Sequence, residues 1–167
     1  DALVAAVRRL ASDNVAARFH VAGTGTLEPT IQRAATSLTG SCRLVNHGLL
    51  GRHDYVRLLS ACDVGLVCVR PESQVVLPNK AGDYAAAGLA LVNSLPGELE
   101  RLIDRYGAGV TYTAGDAASL AREVAGLAAD RPRLASMRRA ARRMAAAEFD
   151  RERLYPAFAA WLETLHT

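Results

Sequence analysis

Apolar residues recur along this chain at two spacings, and the alternation between them predicts its architecture. Leu3, Val4, Val7, Leu10 and Ala11 fall at helical intervals across residues 1–12. Ser12-Asp13-Asn14 breaks that helix, and residues 17–22 read as a short strand running into Gly23-Thr24-Gly25. Residues 28–38 return to helical spacing through Ile31, Ala34, Ala35 and Leu38, and residues 43–46 form the next strand. Beyond a loop at 47–51, Tyr55, Leu58, Leu59 and Cys62 mark a third helix. Residues 64–69 are continuously apolar, as a strand buried on both faces requires.

The alternation continues to the end of the chain. A polar loop at 71–78 leads into a helix at 79–87, which Gly88 ends, and a strand at 90–93 follows. Pro96-Gly97 opens a helix carrying Leu99, Leu102 and Ile103, and residues 109–112 form a strand. Asp116 caps a helix with Leu120, Val124 and Leu127, and two further helices cover 131–147 and 150–165. Strands alternating with helices at this pitch predict an α/β fold, a doubly wound, Rossmann-like parallel sheet covered on both faces, with helices at the C-terminus. Such sheets bind ligands beyond the carboxyl ends of their strands. The loops at 23–25, 47–50 and 71–78 all follow strands, so they are expected to converge on one site.

Within that site the segment from Leu77 to Val92 is the most telling. A loop ending in Pro78 empties onto a helix beginning Asn79-Lys80, and the free N–H groups there form a natural phosphate seat. Lys80 opposes the helix dipole, which a bound anion would explain; pairing with Glu72 or Asp83 explains it equally. Asp83, one turn further in, suits the hydroxyl pair of a ribose, or is simply a surface acid favoured by the dipole. Gly23-Thr24-Gly25 is short of a full G-x-G-x-x-G, because Glu28 stands at the last position, and a plain tight turn fits it as well as a phosphate cradle. No Walker A sequence is present.

Composition narrows the classes further. The 167 residues suffice for one domain; half are apolar but only 5% are aromatic, which favours tight helix-on-sheet packing through alanine. The charge of +3 and pI near 9.0 are modest. Arg138, Arg139, Arg142 and Arg143 cluster without interleaved aromatics, so a solvated helix face is expected and no nucleic-acid partner. Cys42, Cys62 and Cys68 lack metal-ligand spacing; Cys62 and Cys68 lie in apolar runs and read as buried thiols. His20, His47, His53 and His166 show no metal spacing either, although His47 and His53 flank a loop at the site's edge. No apolar run approaches a transmembrane length, and the residues from Asp1 onward read as helical, so neither a membrane span nor a signal peptide is expected within them.

In combination these segments resemble the donor-binding domain of GT-B glycosyltransferases of the retaining family 4. The resemblance rests on residues 19–25 with Leu27-Glu28, on Val45-Asn46-His47-Gly48, and on residues 55–66. It continues through Pro78, Asn79, Lys80, Asp83, Tyr84 and residues 87–92, then Gly107-Ala108-Gly109-Val110, Gly115-Asp116, Leu120-Ala121 and Phe149-Asp150. Asp83 matches the second acid of that family's E-x7-E pattern, which binds the donor's ribose; Val75 stands where the first glutamate belongs. The resemblance implies that Leu77, Pro78 and Asn79 meet the diphosphate, that Gly23 and Gly25 lie near the nucleotide, and that His47 and Gly48 border the base.

It further implies the C-terminal half of a two-domain enzyme, with residues 1–167 as one donor-binding domain and both a first strand and an acceptor domain missing upstream. The intact enzyme would transfer a sugar from a nucleoside diphosphate sugar to an acceptor hydroxyl, on a glycan or lipid-linked glycan, with no cofactor and no metal. Lys80 would offset charge on the departing diphosphate. Family habit adds a cytoplasmic location, in part at the inner membrane face, and polysaccharide synthesis. The rival expectations are a GT-B nucleotide-sugar epimerase and a Rossmann-like interaction domain without a ligand.

Overall fold

A computed structural model describes residues 2–165. Its elements follow in the order α1 (Ala2–Ser12), β1 (Ala17–Val21), α2 (Glu28–Ser37), β2 (Cys42–Asn46), α3 (Arg52–Ser60) and β3 (Val64–Val67). After these come α4 (Asn79–Ala87), β4 (Ala90–Asn93), α5 (Glu98–Tyr106), β5 (Gly109–Thr111), α6 (Ala117–Ala129), α7 (Arg131–Glu148) and α8 (Arg151–Thr164). The ends are set by local chemistry. Asp116 accepts hydrogen bonds from the Ala118 and Ser119 amides at the start of α6, and Gly88 closes α4 in the left-handed conformation.

Every strand pairing is parallel, with β1 on β2 (Ala17↔Cys42 to Val21↔Asn46), β3 on β4 (Val64↔Ala90) and β4 on β5 (Leu91↔Gly109). The fold class is the doubly wound α/β class expected. The sheet, however, is divided: β1-β2 form one ladder and β3-β4-β5 another. On one face, α1, α2 and α6 bury Val7, Leu10, Ile31 and Leu120 against Phe19, Leu44 and Val92. On the other, α4, α5 and α7 bury Ala85, Leu99, Ile103 and Met144 against Val67 and Leu91. Each fully buried leucine or isoleucine contributes about 1.5–3 kcal/mol. The consequence is a β4 strand buried at every position, as its continuous apolar run requires.

Several expectations need adjustment. β3 stops at Val67, because the Val69 amide donates to the Ser94 hydroxyl instead of extending the ladder. Cys62 lies past the end of α3, and both it and Cys68 are half-buried; the deeply buried thiol is Cys42, whose Sγ–H points at the Val7 carbonyl. Of the arginine cluster on α7, Arg138 is structural, ion-paired to Asp63, whereas Arg139, Arg142 and Arg143 are exposed. All described residues of α8 are exposed, so Leu154, Phe158, Trp161 and Leu165 take no part in the core. No described helix is long and apolar enough to cross a membrane. The readings that touch Asp1 and His166 lie outside the described residues.

Candidate functional site

Because every strand pairing is parallel, the loops that leave the carboxyl ends of each ladder lie together at one edge of that ladder. Two clusters of the expected residues assemble there. In the first, the Gly23 amide donates to the Gly48 carbonyl at 2.6 Å and the His47 amide to the Val21 carbonyl at 2.9 Å, tying the loop after β1 to the loop after β2. Gly23 and Gly48 both have positive φ, at 128° and 61°, so these turns need glycine. The His20 and His47 rings stack with centroids 5.1 Å apart, His20 Nδ1 and His47 Nε2 lying 2.9 Å from one another. Burial, then the neighbouring His47 and Arg18, lower the His20 pKa below the ordinary histidine value. Beside this pair, residues 21–25 with Leu27, Glu28, Ile31 and Asn46 line a shallow cavity of about 160 Å³.

The second cluster is the start of α4. Pro78 is the N-cap residue and offers no side-chain cap, and the first turn holds no acid. Ala81 donates to the Pro78 carbonyl, while the Asn79 and Lys80 amides have no hydrogen-bond partner among the described residues. Lys80 is half-buried and, among the described residues, makes no ion pair, neither with Glu72 nor with Asp83. Two unpaired amides at the positive end of a helix, with a cation that has no carboxylate partner, can hold a phosphate group. Leu77 and Asn79 are exposed beside them, as is Val75.

Asp83 is exposed and accepts a hydrogen bond from the Tyr55 hydroxyl at 3.3 Å. It is held from one side only, by α3. Desolvation, followed by the Asp83 charge, pushes the Tyr55 pKa up to about 12. No hydrogen bond or ion pair joins the Gly23–Gly48 cluster to the α4 cluster among the described residues.

Tyr55 and Ser94 were not identifiable from sequence. Tyr55 stands 28 positions from Asp83 and was read only as a core position of its helix. Ser94 spans the β3–β4 exit, donating to the Val67 carbonyl at 3.2 Å and accepting from the Val69 amide at 3.0 Å. It thereby fixes where the chain leaves β3 for the 71–78 loop. At that exit the Cys68 thiol is raised by burial, an effect opposed by the Tyr112 hydrogen bond and the Lys80 charge.

Parallel strands, helices on both faces and loops gathered at the strand ends define an α/β domain of Rossmann-like class. The family of glycosyl transferases group 1 matches residues 1–130, and the chain belongs to that family. The fold is similar to Anabaena Alr3699/HepE in complex with UDP-glucose, with a TM-score of 0.75 at 19% identity over 96% of this chain and 44% of that one. For HepE in complex with UDP and glucose the values are 0.65 and 18%, over 98% of this chain and 55% of that one. WaaG, a glycosyltransferase involved in lipopolysaccharide biosynthesis, gives a TM-score of 0.64 at 15% identity, over 89% and 38%. At these identities the likeness is one of fold. The chain spans between 38% and 55% of the length of these solved proteins. No protein of curated function matches it in sequence.

Proposed function

We propose that this chain is the nucleotide-sugar donor-binding domain of a retaining GT-B glycosyltransferase of family 4 type, which moves a sugar from a nucleoside diphosphate to an acceptor hydroxyl. Membership of the group 1 family supports transferase chemistry, and the fold likeness to HepE, solved with UDP-glucose, supports a nucleotide-sugar ligand. The observation that carries the reading is the start of α4, where, among the described residues, the Asn79 and Lys80 amides have no hydrogen-bond partner and the Lys80 ammonium no ion pair, at the carboxyl end of the strand, where such sheets bind ligands.

In this reading the diphosphate lies against the α4 N-terminus, with Leu77 and Pro78 bordering it. Charge accumulates on the diphosphate as the glycosidic bond breaks, and preorganised amides with a lysine stabilise it without a metal ion. Asp83 takes a hydroxyl pair of the ribose, positioned by Tyr55, and acts as a binding group and not as a general base. Gly23 and Gly25 allow close backbone approach to the nucleotide, and His47 with Gly48 borders the base. The acceptor, a glycan or lipid-linked glycan, belongs to a separate domain, and the intact enzyme works at the cytoplasmic membrane face in polysaccharide synthesis.

Calorimetric titration of the full-length gene product with UDP, GDP and ADP in EDTA tests this reading. It expects one nucleotide to bind, and Asp83→Ala to weaken that nucleotide by about 1.5 kcal/mol, the lower end for a charged hydrogen bond because the carboxylate is exposed. Absence of binding by all three nucleotides contradicts it.

A further inference from the structure

We infer that the cavity between α7 and the turn at Gly88, walled by Arg138, Arg139 and Arg142, binds a phosphate monoester. This site does not rest on the donor reading, because it lies at the other end of α4 and shares no residue with the donor site.

Its place follows from the packing of two helices. A Cβ on Gly82, near the start of α4, would stand 3.6 Å from the ring of Phe149, just past the end of α7. A Cβ on Gly88, just past the end of α4, would fall on Arg142. α7 therefore runs antiparallel along α4. Its arginines gather about 13.5 Å from the α4 N-terminus, the length of nine helical residues. Gly88 leads into β4, so the cavity opens at the amino edge of the β3-β4-β5 ladder, opposite the loop at 71–78.

The cavity measures about 200 Å³ and is lined by Gly88, Ala135, Arg138, Arg139 and Arg142. That is several times the volume of about 30 Å³ that a water occupies in the liquid. The α7 positions stand at i, i+3, i+4 and i+7, a single helix face. Gly88 supplies the opposite wall. Its φ of 73° is left-handed and it carries no side chain, so the Arg142 stem crosses the turn where a Cβ would be. The Arg142 guanidinium is thereby held against the cavity wall.

Charge is the second ground. Asp63 pairs with Arg138 at 2.6 Å and with Arg131 at 3.7 Å, whereas Arg139 and Arg142 make no ion pair among the described residues. Four guanidiniums thus share one carboxylate. The end of α4 does not account for the surplus. The Gly88 and Leu89 amides donate to the Ala85 and Tyr84 carbonyls, and Arg138 Nε donates to the Gly88 carbonyl. The turn is capped without Arg139 or Arg142. Guanidinium forks with no carboxylate of their own, converging on one cavity, hold a phosphate by charge-assisted, bidentate hydrogen bonds. A terminal phosphate carries nearly two charges, and so offsets this surplus better than a singly charged nucleic-acid linkage. No aromatic side chain lines the cavity to stack a base.

The test is NMR of the isotope-labelled full-length gene product, titrated with inorganic phosphate at an ionic strength held constant with chloride. The Gly88 amide and the Nε–H signals of Arg138, Arg139 and Arg142 should shift along one saturable curve. Lys80→Ala should leave that curve unchanged, which separates this result from the donor titration. Arg139→Gln combined with Arg142→Gln should weaken phosphate at this site by about tenfold or more. Arg133→Gln combined with Arg143→Gln removes the same charge from exposed positions of α7 outside the cavity, and should change the affinity by less than about twofold. Cosedimentation with phosphatidylcholine vesicles carrying phosphatidic acid is the second arm. Saturation by free phosphate identifies a soluble phosphate monoester as the ligand class. Vesicle binding that the Arg139/Arg142 variant abolishes, without a response to free phosphate, identifies a lipid headgroup of the same chemistry. No response to either probe, or equal losses in the two double variants, overturns the inference.

Discussion

The Tyr55 hydroxyl donates to the Asp83 carboxylate across 3.3 Å, joining the middle of α3 to the second turn of α4. In the proposed function Asp83 binds the donor's ribose, and this contact would make Tyr55 its positioning residue. Tyr55→Phe should therefore weaken nucleotide binding by about 0.5–1.5 kcal/mol, less than Asp83→Ala, as calorimetry of the two variants would show. Little further loss should appear when the substitutions are combined, because the tyrosine acts through the acid.

The same pair has a pH signature. Tyr55 keeps its proton to about pH 12, above the ordinary tyrosine value of about 10. A folded-state pKa that is raised favours the protonated form, so its contribution to stability is complete below about pH 10. That contribution is lost as the pH climbs to about 12. Asp83→Asn should move the phenol's absorbance titration to lower pH without bringing it to the free value, since burial is the larger cause.

His20 gives the opposite sign at the other end of the scale. Its pKa is lowered, chiefly by burial and then by His47 and Arg18, so the neutral ring is the favoured form in the fold. The associated stability is complete above about pH 6.5 and is lost as the pH falls through the depressed value. Urea denaturation at a series of pH values should show this loss in the native protein, and His20→Phe should flatten it.

Arg138 ties α7 to the start of the second sheet. Its guanidinium reaches Asp63 at 2.6 Å and the Gly88 carbonyl at 3.0 Å, and Arg131 joins the same carboxylate at 3.7 Å. Arg138→Ala should cost about 1 kcal/mol in urea denaturation, because the pair is partly screened by water. Arg139→Ala, on the exposed face beside it, should stay within about 0.5 kcal/mol.

Two glycines separate packing from binding. A Cβ at Gly109 would collide with the Leu91 backbone across the β4–β5 ladder, so Gly109→Ala should prevent native folding as judged by circular dichroism. A Cβ at Gly25 meets nothing within 4 Å, and its φ is not positive. Gly25→Ala should fold with unchanged stability and bind nucleotide more weakly.

Much of this arrangement was legible in the residues. Helix α5 announced itself through Pro96-Gly97 and the Leu99-Leu102-Ile103 spacing, because periodicity and turn residues are local properties. The site's loops were legible for the same reason, each being a break between a strand and a helix. What escaped was non-local. The Tyr55–Asp83 contact spans 28 positions, and spacing within one helix carries no trace of its partner on another. Cys68 and Val69 read as strand, yet the Ser94 hydroxyl takes the Val69 amide and ends the ladder early. Whether the apolar residues of α8 pack on the core or stay exposed was open in the sequence, because their spacing is the same whether or not anything covers them; they are exposed.

The central claim is that a nucleoside diphosphate lies against the start of α4 and beside the Gly23–Gly48 junction. The most direct test is an amide chemical-shift titration of the isotope-labelled full-length protein with the nucleotide that binds. The account predicts that the largest shifts fall on Gly23, Gly25, His47, Gly48, Asn79 and Lys80, and that Lys80→Ala reduces the affinity. Shifts concentrated elsewhere, with Asn79 and Lys80 unmoved, would contradict it.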